Sequence, residues 1–262
     1  MDPLQPDGCA AVPDAVVVFP CYNDARRLPV SKVEAFLADA SDVSFVFVDD
    51  GSNDGTCELL REFERGAAGR VAIVELPANL GKAEAVRAGV LRAFEWQPAY
   101  VGFWDADLAT PLPAILEFRS LLDARPDCEM VFGARVVLLG RRIERWALRH
   151  YLGRVAATAI SLVLGLRVYD TQCGAKLFRA TPSVRALFEE AFAARWLFDV
   201  EILARFSLSL GGDREAARDA IYEYPLSEWK DVAGSSLTPA DYGRAAIDLL
   251  RIWRRYLRDS RL

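Results

Sequence analysis

The sequence has few of the residues that common catalytic and metal sites require. Its 262 residues include one histidine, His150, so a Ser-His or Cys-His triad could be built only around that residue. The five cysteines are odd in number and form no C-x-x-C pair, which argues against a zinc knuckle and favours a reduced, cytosolic compartment. The longest apolar run, 155–166, is shorter than the ~18 residues that a membrane-spanning helix needs.

Two nucleotide-binding motifs are also missing. After the first strand-like segment the chain reads Phe-Pro-Cys-Tyr-Asn-Asp where a Gly-x-Gly-x-x-Gly fingerprint would stand, which argues against NAD binding. Gly81 and Lys82 lack the upstream glycine and the following Ser or Thr of a phosphate-binding P-loop, which argues against NTP hydrolysis. The net charge of -5 argues against a nucleic-acid partner.

What the sequence does contain is a regular alternation of strand-like and helix-like segments. The hydrophobic content of 52% supports a sizeable core. Strands joined by helical crossovers predict an α/β fold with one doubly wound, mainly parallel sheet. We expect a loose arm at 1–14 without a signal peptide, a single domain at 15–237 and an amphipathic helix at 238–262. The predicted strands are 15–19, 44–48, 71–75, 100–104 and 129–132, with helices between them.

Polar side chains follow each of the first four strands at the point where it ends. Because ligands bind outside the carboxyl ends of the strands in parallel α/β sheets, we expect these side chains to form a site at one edge. A single Asn, Asp or Gly there could serve turn geometry alone, but four consecutive strands with this pattern favour a site. The residues are Tyr22 and Asp24, Asp49 and Asp50, Asn79 and Lys82, and Asp105 and Asp107.

Asp105 and Asp107 are the most informative of these residues. They directly follow the fourth strand with only Ala106 between them, so both carboxylates can reach one hard cation. Mg²⁺ or Mn²⁺ suits such a pair when substrate phosphates supply further ligands. The alternative is that Asp107 only caps the turn before the next helix. Together with acids for a base and a ribose, and an aromatic side chain for stacking, the pair matches a nucleotide-diphosphate sugar.

Four motifs give the chain a resemblance to a known family. They are Phe-Pro-Cys-Tyr-Asn-Asp (19–24), Val-Asp-Asp-Gly-Ser-Asn-Asp-Gly-Thr (48–56), Asn-Leu-Gly-Lys-Ala (79–83) and Asp-Ala-Asp-Leu (105–108). In this order and spacing they resemble the inverting family 2 glycosyltransferases of the GT-A fold. Later motifs at 132–135, 170–178 and 195–201 are similar to the polyprenyl-phosphate branch, especially dolichyl-phosphate β-glucosyltransferases and their bacterial relatives.

The resemblance implies a role for each matching residue. Arg135 and Arg149 would receive the acceptor phosphate, and Lys230 would meet the donor diphosphate. Asp199 would be a catalytic base if the acceptor were a hydroxyl, and residues 170–173 would line the acceptor pocket. For the donor, the resemblance implies Pro20, Tyr22, Asp24 and either Asp49 or Asp50 at the base and ribose, Lys82 at the diphosphate, and Asp105 and the catalytic Asp107 at the metal.

The activity implied by the resemblance is a metal-dependent, inverting transfer of a hexose, with glucose as the first candidate. The donor would be UDP-glucose or GDP-mannose, the metal Mg²⁺ or Mn²⁺, and the acceptor a polyprenyl phosphate at the cytoplasmic face of a membrane. Two alternatives stay open. One is transfer to a soluble hydroxyl acceptor with Asp199 as base, and the other is a non-catalytic scaffold that binds a sugar nucleotide or a membrane surface.

Several candidate residues also have purely structural explanations. Arg149 belongs to a helix-like stretch with three more arginines and could lie on a solvated face. Lys230 stands in a predicted loop without independent support. Asp199 and Glu201 could cap or line a helix that orders the site, and a phosphate acceptor favours this second role for them. The other arginines of the helix-like stretch are Arg141, Arg142 and Arg145.

Two segments have the composition of surface-binding helices. Residues 141–166 pair a basic half with an apolar half, which suits either an anionic membrane surface or a core helix with a charged start. The tail 242–262 carries an apolar stripe beside several arginines. Three places for that tail stay open, namely the domain itself, a second copy of the chain in a homo-oligomer, and lipid headgroups.

Overall fold

The computed structural model describes residues 12–144, 147–230 and 239–258, so most of the predicted arm lies outside it. The strands are β1 (Ala15–Cys21), β2 (Val43–Asp49), β3 (Val71–Glu75), β4 (Tyr100–Phe103), β5 (Met130–Ala134), β6 (Arg142–Glu144), β7 (Lys176–Arg179), β8 (Ile221–Pro225) and β9 (Glu228–Lys230). The helices are α1 (Val30–Asp39), α2 (Thr56–Gly66), α3 (Lys82–Phe94), α4 (Ala114–Ala124), α5 (Ala147–Leu164), α6 (Pro182–Glu189), α7 (Phe198–Ser209), α8 (Arg214–Asp219) and α9 (Pro239–Ile252), before a π-helical turn at Trp253–Leu257.

Seven of these strands form one twisted sheet in the order β3-β2-β1-β4-β7-β5-β8. The neighbours β3, β2, β1 and β4 run parallel, as do β5 and β8, whereas β7 is antiparallel to both of its neighbours. Helical crossovers between the first four strands explain the parallel half, because such connections return the chain to the same end of the sheet. The predicted α/β fold with a mainly parallel, doubly wound sheet is confirmed.

The sheet is covered on both faces, and alternate residues of each strand enter different cores. In β1, Val16 and Val18 pack with helices α3 and α7, whereas Val17 and Phe19 pack with α1, α2 and α4. Every residue of β2 is buried, which a strand with helices on both faces requires. The C-terminal helix adds Ile252 to the first of these cores.

The register of the parallel strands brings their carboxyl ends to one level. Cys21 of β1 is paired with Asp49 of β2, and the Asp50 N–H donates to the Cys21 carbonyl at 2.9 Å. On the other side of β1, the Trp104 N–H donates to the Val18 carbonyl at 2.8 Å. The polar residues that follow these strands therefore share one edge of the sheet.

Two local predictions are wrong. The stretch 141–149 is not one helix, because residues 142–144 form β6, which pairs in parallel with β9. Lys230 belongs to β9 and not to a loop. This two-stranded pairing joins segments more than eighty residues apart, so no local pattern reveals it. Within the ranges that the structure describes, no helix is both long and apolar enough to cross a membrane.

Candidate active site

The first polar turn of the site follows β1 and is held by side chains that bind backbone. The Asp24 carboxylate accepts a hydrogen bond from the Tyr22 N–H at 3.0 Å, and the Asp24 N–H donates to Thr56 Oγ1 at 2.8 Å. Burial raises the pKa of Asp24. Tyr22 is 43% exposed and follows the half-buried Pro20 closely, so a planar ligand can reach it.

The adjacent acids Asp49 and Asp50 have different partners. Asp50 accepts the N–H groups of Leu80 at 2.7 Å and Gly81 at 2.9 Å, one on each carboxylate oxygen, and so fixes the loop between β3 and α3. Asp49 accepts the Ser52 N–H at 3.2 Å through Oδ1. Both carboxylates are buried, but Asp50 is committed to the backbone through both oxygens.

Asp105 and Asp107 stand where β4 ends, as the sequence predicts. Asp107 Oδ1 accepts the Ala109 N–H at 3.0 Å, which turns the chain back immediately. Asp105 Oδ1 is ion-paired with Lys82 at the start of α3. Gly174 packs directly against the Asp105 carboxylate, and a Cβ at position 174 would overlap both of its oxygens. The site therefore requires a glycine there.

The electrostatics of the pair are asymmetric. Burial alone would raise the pKa of Asp105, but the Lys82 ammonium holds that pKa below its usual value. Burial and the charge of Asp105 raise the pKa of Asp107. Burial opposes the charge of Lys82, but Asp105 and Asp199 raise its pKa above the usual value. The Lys82 ammonium thus pairs with Asp105 and not with Asp107.

Arg27 connects the first and fourth strand ends. Its guanidinium lies 3.7 Å from the Asp24 carboxylate and 3.7 Å from the Asp107 carboxylate. The polar ends of β1, β2 and β4 and of the β3–α3 loop therefore form one continuous surface. We call the five carboxylates of this surface the aspartate rim; they belong to Asp24, Asp49, Asp50, Asp105 and Asp107.

The second half of the site consists of charges that pair with one another. Arg135, directly after β5, binds Asp170 through Nε at 2.6 Å and Nη2 at 2.7 Å, and its backbone N–H also donates to Asp170 at 3.1 Å. The guanidinium lies 5.1 Å from the centre of the Trp229 ring. The Glu223 carboxylate accepts the Asp170 and Tyr169 N–H groups at 2.8 Å, which fixes the segment that carries Asp170.

A second ion pair lies deeper. Lys176 is fully buried, with its ammonium 2.5 Å from Asp199 Oδ1 and 2.5 Å from the Cys173 carbonyl that it binds. The rings of Phe103 and Phe132 lie 5.1 Å from the same ammonium. We call Arg135, Asp170, Lys176 and Asp199 the paired-charge side.

The remaining candidates have different positions. The Lys230 side chain is exposed, while its N–H donates to the Ala109 carbonyl at 3.1 Å, next to the Asp107 turn. Glu201 is buried in α7 and accepts from the Ala193 and Ala194 N–H groups at 3.1 and 2.8 Å, so it orders the preceding turn. Arg149 lies in α5, and its side chain is outside the described part of the structure.

A family model described as "Glycosyl transferase family 2" matches residues 16–184, which include the aspartate rim, Arg135 and Lys176. The chain belongs to this family. Two curated relatives are named dolichyl-phosphate beta-glucosyltransferase. The one from Drosophila melanogaster is 32% identical over 92% of this chain and 74% of its own, and the one from Homo sapiens is 30% identical over 92% and 75%. The predicted membership of family 2 is confirmed, and the protein is a glycosyltransferase.

Solved structures of other glycosyltransferases share the fold. A mannosyltransferase from Pyrobaculum calidifontis, in complex with GDP-Man and Mn²⁺, superposes with a TM-score of 0.61 at 19% identity, covering 94% of this chain and 64% of its own. Glucosyl-3-phosphoglycerate synthase from Mycobacterium tuberculosis, in complex with UDP, gives 0.59 at 18% identity, covering 92% and 80%. The predicted GT-A architecture is confirmed.

The residues of this family 2 site fit a divalent cation. Asp105 and Asp107 offer carboxylate oxygens, the donors that Mg²⁺ and Mn²⁺ prefer, and a cation would stabilise the charged form of Asp107, whose pKa is raised by burial and by the charge of Asp105. Among the described residues no third His, Cys, Asp or Glu joins them. The remaining ligands of a bound metal would come from water or substrate phosphate.

Three basic residues of the site were missed by sequence reasoning. Arg27 stands in the turn between β1 and α1, and nothing in its surroundings distinguishes it. Arg195 Nη2 donates to the Leu80 carbonyl at 2.6 Å and so fixes the β3–α3 loop from the far side. Lys176 did leave a signal, because a lysine that begins an apolar strand is a buried charge in need of a partner.

Proposed function

We propose that the protein transfers a hexose, glucose in the first place, from a nucleotide-diphosphate sugar to a polyprenyl phosphate with inversion at the anomeric carbon. The observation that carries the proposal is the 32% identity, over 92% of the chain, with a relative named dolichyl-phosphate beta-glucosyltransferase. The site supports it, because acids and Lys82 line one half and Arg135 lies in the other.

The donor base and ribose are assigned to the ends of β1 and β2. Tyr22 offers an exposed ring for stacking on the base, beside Pro20 and Asp24. Of the two adjacent acids, Asp49 is the one we assign to the nucleotide, since Asp50 holds the Leu80 and Gly81 N–H groups with both of its oxygens. UDP and GDP are both compatible with these contacts.

The donor diphosphate is assigned to the Asp105 and Asp107 turn. These two carboxylates would hold Mg²⁺ or Mn²⁺, which when bound stabilises the negative charge of the leaving diphosphate. Lys82 adds a fixed positive charge beside Asp105, and Lys230 can reach the same diphosphate from the exposed face of β9. Because the protein supplies few ligands, metal binding should be weak until the nucleotide is present.

The acceptor phosphate is assigned to Arg135, with Arg149 as a second candidate. A phosphate monoester is already ionised at neutral pH, so the reaction needs positioning and charge stabilisation rather than a strong base. The fork of Arg135 suits two phosphate oxygens, but Asp170 now holds it in the same bidentate way. The acceptor phosphate would bind through Nη1 of Arg135 or would displace Asp170 from the guanidinium, and one of its oxygens would attack the anomeric carbon as the diphosphate leaves.

The state of Asp199 supports a phosphate acceptor over a hydroxyl. In the rival reaction this carboxylate would have to take a proton from the acceptor. It is instead buried against the Lys176 ammonium at 2.5 Å, where it neutralises a lysine that has no access to water. We therefore assign Asp199 an ordering role.

We also retain residues 15–237 as the catalytic domain and place the reaction at the cytoplasmic face of a membrane.

The proposal is tested with a panel of labelled nucleotide sugars, Mg²⁺ or Mn²⁺, and a short-chain polyprenyl phosphate. A matched assay uses the corresponding polyprenol, which has a hydroxyl in place of the phosphate. We expect a glycosylated product from the phosphate and none from the alcohol. Product from the alcohol alone would overturn the phosphate acceptor and favour a hydroxyl acceptor. No product from any donor would overturn the polyprenyl phosphate acceptor, and the scaffold predicts in addition that Asp107→Ala changes only nucleotide affinity.

A further inference from the structure

Three consecutive apolar side chains are exposed in the turn after β5. Val137 is 61% exposed, Leu138 49%, and Leu139 is fully exposed. The Arg141 N–H donates to the Leu138 carbonyl at 3.1 Å and Gly140 has a φ of +83°, so Leu139 stands at the apex of a β-turn. Turns usually carry polar residues there, and clustered exposed apolar groups mark interaction surfaces. We call Val137–Leu139 the apolar tip.

The apolar tip lies at the same edge of the sheet as the active site. β7 is antiparallel to both β4 and β5, so these two strands run in the same direction and end at the same edge. Beyond the tip the chain forms β6, which pairs with β9. The Lys230 N–H of β9 donates to the Ala109 carbonyl at 3.1 Å, two residues after Asp107. The base of the tip is thus fixed to the turn that carries the Asp105 and Asp107 carboxylates.

The sequence around the tip is basic although the chain as a whole is acidic. Residues 135–149 include five arginines and one acid, Glu144, in a protein with a net charge of -5. Of these, Arg141 and Arg142 directly follow the tip, and the Arg142 side chain is exposed. An apolar tip with flanking arginines complements a surface that is apolar inside and negatively charged outside.

We propose that the apolar tip inserts into the interfacial layer of an anionic lipid bilayer while the flanking arginines contact its headgroups. This inference rests on the proposed polyprenyl phosphate acceptor and deepens it, since the tip would hold Arg135 at the depth of the acceptor phosphate. A second copy of the chain fits less well. Three side chains at a turn provide far less than the ~1,000 Å² that a specific protein interface buries.

The test is flotation of the full chain with vesicles of phosphatidylcholine alone or mixed with phosphatidylglycerol, without any substrate. We expect the wild-type protein to float with the anionic vesicles, and less at high salt. The Leu138→Ser/Leu139→Ser variant should bind these vesicles about tenfold more weakly or worse. In this variant the two leucine side chains that the wild type would bury in the bilayer are missing. Its thermal unfolding should match the wild type, since both side chains are exposed.

A matched pair of single variants controls for the loss of an exposed valine. Val12 is 68% exposed and precedes β1, at the opposite edge of the sheet from Val137. Val137→Ser should weaken vesicle binding several-fold, and Val12→Ser should not. Leu162→Ser, on the exposed face of α5, tests a different docking surface. Binding lost only in Leu162→Ser, or equally in Val12→Ser, would overturn the proposal.

Two further outcomes would also overturn it. One is a wild-type protein that does not bind anionic vesicles, and the other is a tip variant that changes oligomeric state in solution, which would make the tip a protein contact.

Failure of the proposed function would look different, since vesicle binding through the tip would persist without glycosyl transfer to any acceptor. With a water-soluble short-chain polyprenyl phosphate the tip variant should be as active as the wild type, and with a long-chain acceptor in vesicles it should be slower.

Discussion

The aspartate rim and the paired-charge side are stabilised in different ways. Four of the five rim acids bind backbone N–H groups, as Asp49 does with Ser52 and Asp107 with Ala109, while Asp105 pairs with the Lys82 side chain. On the paired-charge side, side chains bind side chains from distant segments, and Arg135 reaches Asp170 across 35 positions. The rim thus gathers five carboxylates with only Lys82 and Arg27 among their ion-pair partners in the described residues, whereas each acid of the other half has a basic partner at 2.5–2.7 Å.

This difference separates activity from stability. The raised pKa of Asp107 means that its charged form is destabilised in the folded protein, and a bound cation would stabilise that form. Removing one member of a buried ion pair leaves the other charge without compensation, which destabilises the fold. We therefore expect changes in the rim to reduce turnover and changes on the paired-charge side to reduce the free energy of unfolding first.

A large effect on stability is expected at the Arg135–Asp170 pair. Asp170→Ala should lower the free energy of unfolding by about 3 kcal/mol, because a guanidinium that is mostly buried loses its bidentate partner. Urea unfolding measures it. The double variant Arg135→Ala/Asp170→Ala should be less destabilised than the sum of the two single variants, and strict additivity would mean that the pair contributes no coupling.

The largest expected effect on turnover is at Asp105. Asp105→Asn should reduce kcat/KM by about 10²- to 10³-fold, as expected when preorganised charge at the leaving group is lost. Steady-state kinetics measure this reduction, with the donor and acceptor that give product in the panel assay. Asp39→Asn, an exposed acid at the end of α1, is the control and should leave kcat/KM unchanged. An equal loss of kcat/KM in Asp105→Asn and Asp39→Asn would show that the rim acid matters no more for turnover than an exposed surface acid.

A change at Gly174 sharpens the comparison, since it perturbs the rim from the paired-charge side. Gly174→Ala should reduce kcat/KM by about 10²-fold, because the added Cβ displaces the Asp105 carboxylate from its position. Gly66→Ala, where a Cβ meets nothing within 4 Å, should have no such effect. An active Gly174→Ala enzyme would show that the position of Asp105 matters little.

The smallest expected effect is a gain in stability at Asp107. Its pKa is raised in the folded protein, so its contribution to stability is full below the unfolded-state value of about 3.8 and is lost as the pH rises through the folded-state value. Asp107→Asn should therefore unfold at a slightly higher temperature than the wild type at pH 7 without metal. The difference should vanish near pH 3, and Mn²⁺ with nucleotide should stabilise only the wild type.

The sequence predicts the aspartate rim well because short-range chemistry creates it. Parallel strands of regular length bring their carboxyl ends to one edge, and Asp, Asn, Ser and Gly in the following turns bind nearby backbone. The position of the site edge and of Asp105 and Asp107 therefore follows from the order of segments. Which of Asp49 and Asp50 is free for a ligand does not, because Asp50 bonds to Leu80 and Gly81 in a loop that is 30 residues away.

The paired-charge side was harder to predict because its contacts are long-range. The sequence predicts that Arg135 binds the acceptor phosphate, but it does not reveal that Arg135 pairs with Asp170 in the folded protein. Lys176 and Asp199 come from β7 and α7, and only the antiparallel insertion of β7 into the sheet brings them together. The pairing of β6 with β9, which turned a predicted loop at Lys230 into a strand, has the same origin.

The role of Asp199 decides between a phosphate and a hydroxyl acceptor, and a double variant measures it most directly. Asp199→Asn alone leaves Lys176 buried without a counter-charge, so loss of activity in that variant would be ambiguous. Replacing both charges, in Lys176→Met/Asp199→Asn, should restore much of the stability. If Asp199 only orders the site, the double variant should transfer sugar to polyprenyl phosphate within about tenfold of the wild-type kcat. A stable, donor-binding double variant whose kcat falls by about 10³-fold or more would identify Asp199 as the base and contradict the phosphate mechanism.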